Sequence, residues 1–91
     1  MSVTRDEHRV RIGESEVAVI GQSGLVEATW ELFVDDERVD GDTRSGLFVL
    51  RGQVGDGRAI EAHIEQGALG PTHVTIVHDG HEVVSFKGFV A

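Results

Sequence analysis

A chain of 91 residues can hold one domain with one core, burying about two thirds of the surface that the unfolded chain exposes. It has no cysteine, which excludes a disulfide framework and a thiolate metal site. Sixteen acidic residues against eight basic ones give a net charge of −8. No basic cluster is available to neutralise phosphates, which argues against nucleic acid and anionic membranes as partners.

No apolar run approaches the ~20 residues of a membrane span, and the polar start MSVTRDEHR does not read as a signal peptide. The expected address is the cytoplasm. Residues 1–7 are polar and are expected to fray, leaving 8–91 as a single folded domain. Thr4 and Glu7 match a capping box, but the following HRVRI alternates. A strand is therefore expected, with Val10 and Ile12 inward and Arg9 and Arg11 outward. Gly13, Glu14 and Ser15 then form a turn, residues 16–20 a short β-branched strand, and GQSG at 21–24 a loop.

Residues 25–34, LVEATWELFV, hold the only tryptophan. Val26, Ala28, Trp30, Leu32 and Val34 give one continuous apolar face, and Glu27, Thr29 and Glu31 give the other, with Phe33 as its exception. That period-2 pattern is a half-buried strand, and a core of this size should assemble against Trp30. Asp35 and Asp36 tolerate the positive φ of a two-residue hairpin turn. Pairing Val34 with Glu37 sets Phe33 opposite Arg38 and Leu32 opposite Val39, which preserves the apolar face. Residues 40–45 read as a polar loop.

For GLFVLRGQV and RAIEAHIEQ, a three-residue Gly55-Asp56-Gly57 loop pairs Phe48 with Ile64, Leu50 with Ala62 and Gly52 with Ile60. The opposite face then sets Arg51 against Glu61, a cross-strand pair of opposite charge. A two-residue turn would mix polar and apolar side chains on both faces. A helix over residues 58–66 stays open as the alternative, since Ile60 and Ile64 are four apart, Asp56 could cap and Gly67 could terminate.

The final hairpin, THVTIVH, Asp79-Gly80, HEVVSF, has the strongest turn signal. Its simple register sets Ile76 opposite Val83, Val74 opposite Ser85, Thr75 opposite Val84 and His73 opposite Phe86. Phe89 and Val90 continue the strand or tuck over the sheet edge. About eight short strands joined by Gly- and Asp-rich turns point to an all-β fold, an antiparallel β-sandwich or small barrel.

Residues 26–86 resemble the Fas apoptotic inhibitory molecule family. The likeness is carried by VEATWELFVDDERV, by GLFVLRGQVGDGRAIEAHI and by THVTIVHDGHEV. It implies a compact β-sandwich with a strand over residues 58–66, in a soluble, cytosolic, regulatory family without an established catalytic site. The chain departs from that family in lacking cysteine and tyrosine and in being distinctly acidic.

Chemistry-bearing residues are few. His78 and His81 flank the Asp79-Gly80 turn and oppose each other, so the pair is a candidate metal or small-ligand site with Asp79 or Glu82 as third ligand. Two solvated histidines at the rim of the core face are the plainer expectation. His63 and His73 read as surface residues, and His8 lies in or near the frayed end. There is no G-x-S-x-G elbow, phosphate loop or HExxH, and nothing orients a base onto the serine of GDTRSG. The Asp35-Asp36 and Asp6-Glu7 pairs read as solvated.

Neither an enzyme nor a cofactor is expected. Phe33, Phe86, Val77 and Val84 fall on outer faces, to be covered by an opposing sheet or left as an exposed patch. Phe33, Arg38 and Phe86, with Asp35 and Asp36, are the candidate partner-binding residues. The expectation is a soluble, non-enzymatic domain of regulatory or accessory type that works by protein–protein contact. The runner-up is an acidic inhibitor or immunity-type protein capping a basic site on its partner.

Overall fold

The computed structural model describes residues 5–22, 27–44, 46–66 and 72–88. These form eight strands: β1 (Arg5–Ile12), β2 (Ser15–Gln22), β3 (Thr29–Val34), β4 (Glu37–Thr43), β5 (Gly46–Gln53), β6 (Ala59–Gln66), β7 (Thr72–His78) and β8 (His81–Gly88). They assemble as two four-stranded antiparallel sheets in sequence order, β1-β2-β3-β4 and β5-β6-β7-β8, that face each other as an unclosed sandwich. The segment left open between strand and helix, residues 58–66, contributes strand β6 and no helix, which agrees with the strand reading.

The sheets are held together by inner-face residues that alternate along each strand. Val17 and Val19 of β2 and Trp30, Leu32 and Val34 of β3 meet Phe48 and Leu50 of β5, Ile60, Ala62 and Ile64 of β6, and Val74 and Ile76 of β7. Trp30 is fully buried at the centre. Its indole Nε1–H donates to the Gln66 Oε1 of the opposite sheet at 3.1 Å, so the polar edge of the largest core residue is satisfied. Gly21 is the cross-strand partner of Trp30, and a Cβ there would lie within 3.0 Å of three indole carbons. The glycine is therefore the seat of the tryptophan.

The β5–β6 register is the expected one throughout, with Phe48 opposite Ile64, Leu50 opposite Ala62, Gly52 opposite Ile60 and Arg51 opposite Glu61. Two other registers contain a β-bulge that alternation does not show. In the β3–β4 hairpin, Val34 pairs with Glu37 and Phe33 with Arg38, but Leu32 then pairs with Asp40, leaving Val39 unpaired. Val39 turns instead toward Gly52 of β5, whose missing side chain leaves room for it at the sheet edge.

In the β7–β8 hairpin, Val83 is the unpaired residue, so Val84 faces Ile76, Ser85 faces Thr75 and Phe86 faces Val74. That one-residue offset moves Phe86 and Val84 from the outer to the inner face. Both are partly buried against the core.

Other boundaries also move. Residues 40–43, with the polar composition of a loop, continue β4 because they pair with residues 29–32 of β3. Gly21 and Gln22 belong to β2, and Arg5, Asp6 and Glu7, expected to fray, pair with Gln22, Gly21 and Ile20. Trp30 sits in a strand that starts at Thr29; Leu25 and Val26 lie outside the described residues, as do Thr4, Ser45, Gly67, Phe89 and Val90.

Candidate functional site at the turn end

The hairpins β1–β2, β3–β4, β5–β6 and β7–β8 all turn at one end of the sandwich. Gly13 (φ 61°), Asp35 (52°), Asp36 (65°), Asp79 (51°) and Gly80 (82°) occupy the left-handed region that tight hairpin turns demand. At Asp35-Asp36 and Asp79-Gly80 both central residues have positive φ, the pattern of type I′ turns, whose twist matches the flanking strands. Asp is among the few side chains that tolerate this conformation. The same requirement thus places Asp35, Asp36 and Asp79 at one end, where Glu14 and Asp56 of the other two turns join them.

Several of these carboxylates also brace the turns. Asp35 Oδ1 accepts from the backbone N–H of Glu16 at 2.9 Å, while the Asp35 N–H donates to the Glu16 carbonyl at 2.8 Å, tying the β3–β4 turn to the second strand. Asp56 Oδ1 accepts from the Arg58 N–H at 2.9 Å within its own loop. The Gly55 N–H donates to the buried Ser15 Oγ at 3.0 Å, a direct tie between the two sheets.

The guanidinium of Arg58 lies between Asp56 (3.7 Å) and Asp79 (3.9 Å), and that of Arg9 reaches Asp36 at 3.6 Å from the outer face of β1. At these distances and exposures the pairs contribute little to stability, so the negative charge of the turns is only partly offset. Between the turns a cleft of about 560 Å³ opens, with Ile12 and Val54 as its apolar walls and Ser15, Asp35, Asp56 and His78 as polar lining.

His78 and His81 oppose each other across the last turn, as their spacing required. His81 is exposed, while His78 sits at the rim of the core with its Nε2 sealed from solvent and without a hydrogen-bond partner among the described residues. Of their suggested third ligands, Asp79 lies beside Arg58, and among the described residues no three His, Asp or Glu side chains are grouped to hold a metal ion.

The other expected contact residues are scattered. Phe33 is half-buried on the outer face of the first sheet, beside Ala18 and opposite Arg38, whose Nε donates to Glu31 at 2.8 Å. Phe86 is in the second sheet and points inward, so the two phenylalanines do not form one patch.

His63 and His73 take outer-face positions as expected, and His63 bonds Glu61 at 3.1 Å. That hydrogen bond, with Arg51 as a smaller cause, holds the Glu61 carboxyl below the usual range. Glu7 is lowered likewise, first by its hydrogen bond from Arg9.

His8 is not at a frayed end. It is paired with Val19 inside β1, and its ring stacks on Phe86 with centroids 4.7 Å apart. The signal is present in HRVRI, whose alternation puts His8 on the same face as Val10 and Ile12.

Fold and site together define a two-sheet antiparallel sandwich with an acidic, turn-built end. Searches of protein-family models, of curated proteins and of solved structures find no match to this chain. Among the described residues, no helix is long and apolar enough to cross a membrane.

Proposed function

We propose that this chain is a non-enzymatic protein-binding module, regulatory or accessory in role, whose contact surface is the acidic turn end. The observation that carries this reading is the convergence of Glu14, Asp35, Asp36, Asp56 and Asp79 on one end of a braced sandwich. A preformed surface of tight turns loses little conformational freedom on binding, and its charge favours a basic site on the partner.

This favours the acidic docking face over an apolar contact, because Phe33 and Phe86 lie on different sheets and only Phe33 faces outward. The resemblance to the Fas apoptotic inhibitory molecule family belongs to the same reading and rests on the segments 26–39, 46–64 and 72–83.

The test begins with capture of a binding protein from host lysate. The affinity of the purified pair is then measured at about 0.05 and about 0.5 M salt. Binding is expected to weaken at least tenfold both at high salt and with Asp35→Lys/Asp36→Lys. Glu65→Lys, on the outer face of β6, should leave it nearly unchanged. Affinity indifferent to salt and to the turn substitutions refutes the acidic face.

A further inference from the structure

We propose that His8 works as an acid-released latch between the two sheets: protonating its ring frees β1 from β8 while the remaining strands stay paired. Among the described residues, strand β1 is an edge strand hydrogen-bonded to β2 alone, and Asp6, His8, Val10 and Ile12 form its half-buried inner face. Across the gap, β8 supplies Phe86 and Gly88. The His8 and Phe86 rings stack at an interplanar angle of 20°.

At Gly88 the backbone comes so close that an added Cβ would collide with the Asp6 carboxylate and lie 3.3 Å from His8 Nε2. That Nε2 is sealed from solvent and has no hydrogen-bond partner among the described residues. The neutral ring suits this apolar stack. The second proton creates a charged N–H donor that is sealed from solvent and, among the described residues, has no hydrogen-bonded acceptor in place.

Among the described residues, the charges around the ring are few. On β1 itself Asp6 faces the same side. From β2 the inward residues are Val17, Val19 and Gly21, and from β8 they are Val84, Phe86 and Gly88; Ser85 and Lys87 lie on the outer face. Asp6 attracts an imidazolium, and so does the face of Phe86. Burial nevertheless outweighs Asp6 and pushes the His8 pKa below the ordinary histidine value. Release is local because, among the described residues, β1 has one ladder only, and its Val10 and Ile12 are half-buried at the margin of the Trp30-centred core rather than among its buried residues.

Amide hydrogen exchange on the whole chain tests the latch. Protection of β1 amides, corrected for intrinsic exchange, is compared with that of β6 between about pH 7.5 and about pH 5. Protection of β1 should fall by up to roughly tenfold per pH unit below 6.5 and stay well under that of β6 at every pH, the mark of a local opening. His8→Phe, which keeps the stack and removes the titration, should leave β1 protection flat.

If β1 stays flat in the unaltered chain, is as protected as β6, or falls equally in His8→Phe, the latch is overturned. A second readout needs no variant, the NMR titration of the His8 ring. A midpoint below 6.5 is expected, and one at or above that value overturns the proposal.

Discussion

Gly21→Ala is the most informative substitution in the core. On backbone grounds alone, replacing a glycine in the interior of β2 should stabilise the chain by about 0.5–1 kcal/mol, because alanine has less freedom to lose on folding. The packing reverses the sign. The new methyl would lie within 3.0 Å of three carbons of an indole that is itself fully buried and held by Gln66, so the ring cannot move aside without giving up that bond.

Overpacking of this kind costs about 1–3 kcal/mol, and the lost or strained indole hydrogen bond adds to it. A net destabilisation of about 2 kcal/mol is expected, or a fall of roughly 8–16 °C in melting temperature for a domain of this size. Circular dichroism melts of both chains provide the value. Combining it with Trp30→Phe separates packing from backbone effects: Gly21→Ala should cost clearly less in the Trp30→Phe background. A Gly21→Ala chain that melts at or above the unaltered one refutes the seat.

Other substitutions probe the same reasoning. Trp30→Ala should cost about 3–5 kcal/mol in chemical denaturation. Gln66→Ala leaves the buried indole N–H unsatisfied and should cost about 1–3 kcal/mol by the same assay. Asp36→Gly relieves a non-glycine residue at φ 65° and should raise stability by about 0.5–1 kcal/mol, despite losing the exposed pair with Arg9.

The pH dependence has two limbs. The native His8 binds fewer protons than the unfolded chain, so stability should decline as pH falls below 6.5 and level off below its lowered native value. Glu7 and Glu61 are lowered in the fold, so their stabilisation is present at neutral pH and erodes below 4.5, an effect that salt should weaken. Denaturation midpoints measured across the pH range give both limbs.

How legible each part of the fold is depends on how tightly its register is specified. Between β5 and β6 only one loop length puts Phe48, Leu50, Ile60, Ala62 and Ile64 on one face, so alternation alone identifies the residue pairs. Between β7 and β8, Val83 and Val84 are both acceptable on either face. Alternation cannot reveal which of them is the bulge, and without the bulge Phe86 falls on the wrong side. Strand β4 is illegible past Val39 because its Asp40, Gly41 and Asp42 carry no apolar alternation. Its pairing comes from the β3 backbone, and Asp40 Oδ2 accepts from the Arg51 N–H at 2.9 Å.

At the candidate site, Asp35 and Asp36 are legible as turn residues because positive φ restricts the choice. Their meeting with Asp56 and Asp79 depends on the stacking of two sheets, which no local pattern encodes. His8 is legible by face but not by partner, since its stack on Phe86 needs the β8 bulge.

The placement of β1 against β8 also bears on how the chain could be rewired. Among the described residues, each strand pairs only with its neighbours in sequence, and a single crossing, between β4 and β5, leads from one sheet to the other. Asp6 near the start of the first strand touches the backbone of Gly88 at the end of the last. A short linker across those ends, with new termini opened in the crossing, would keep all the pairings. The sandwich is thus a near-cyclic chain, and a circular permutant reading β5 to β8 and then β1 to β4 should reach the same fold.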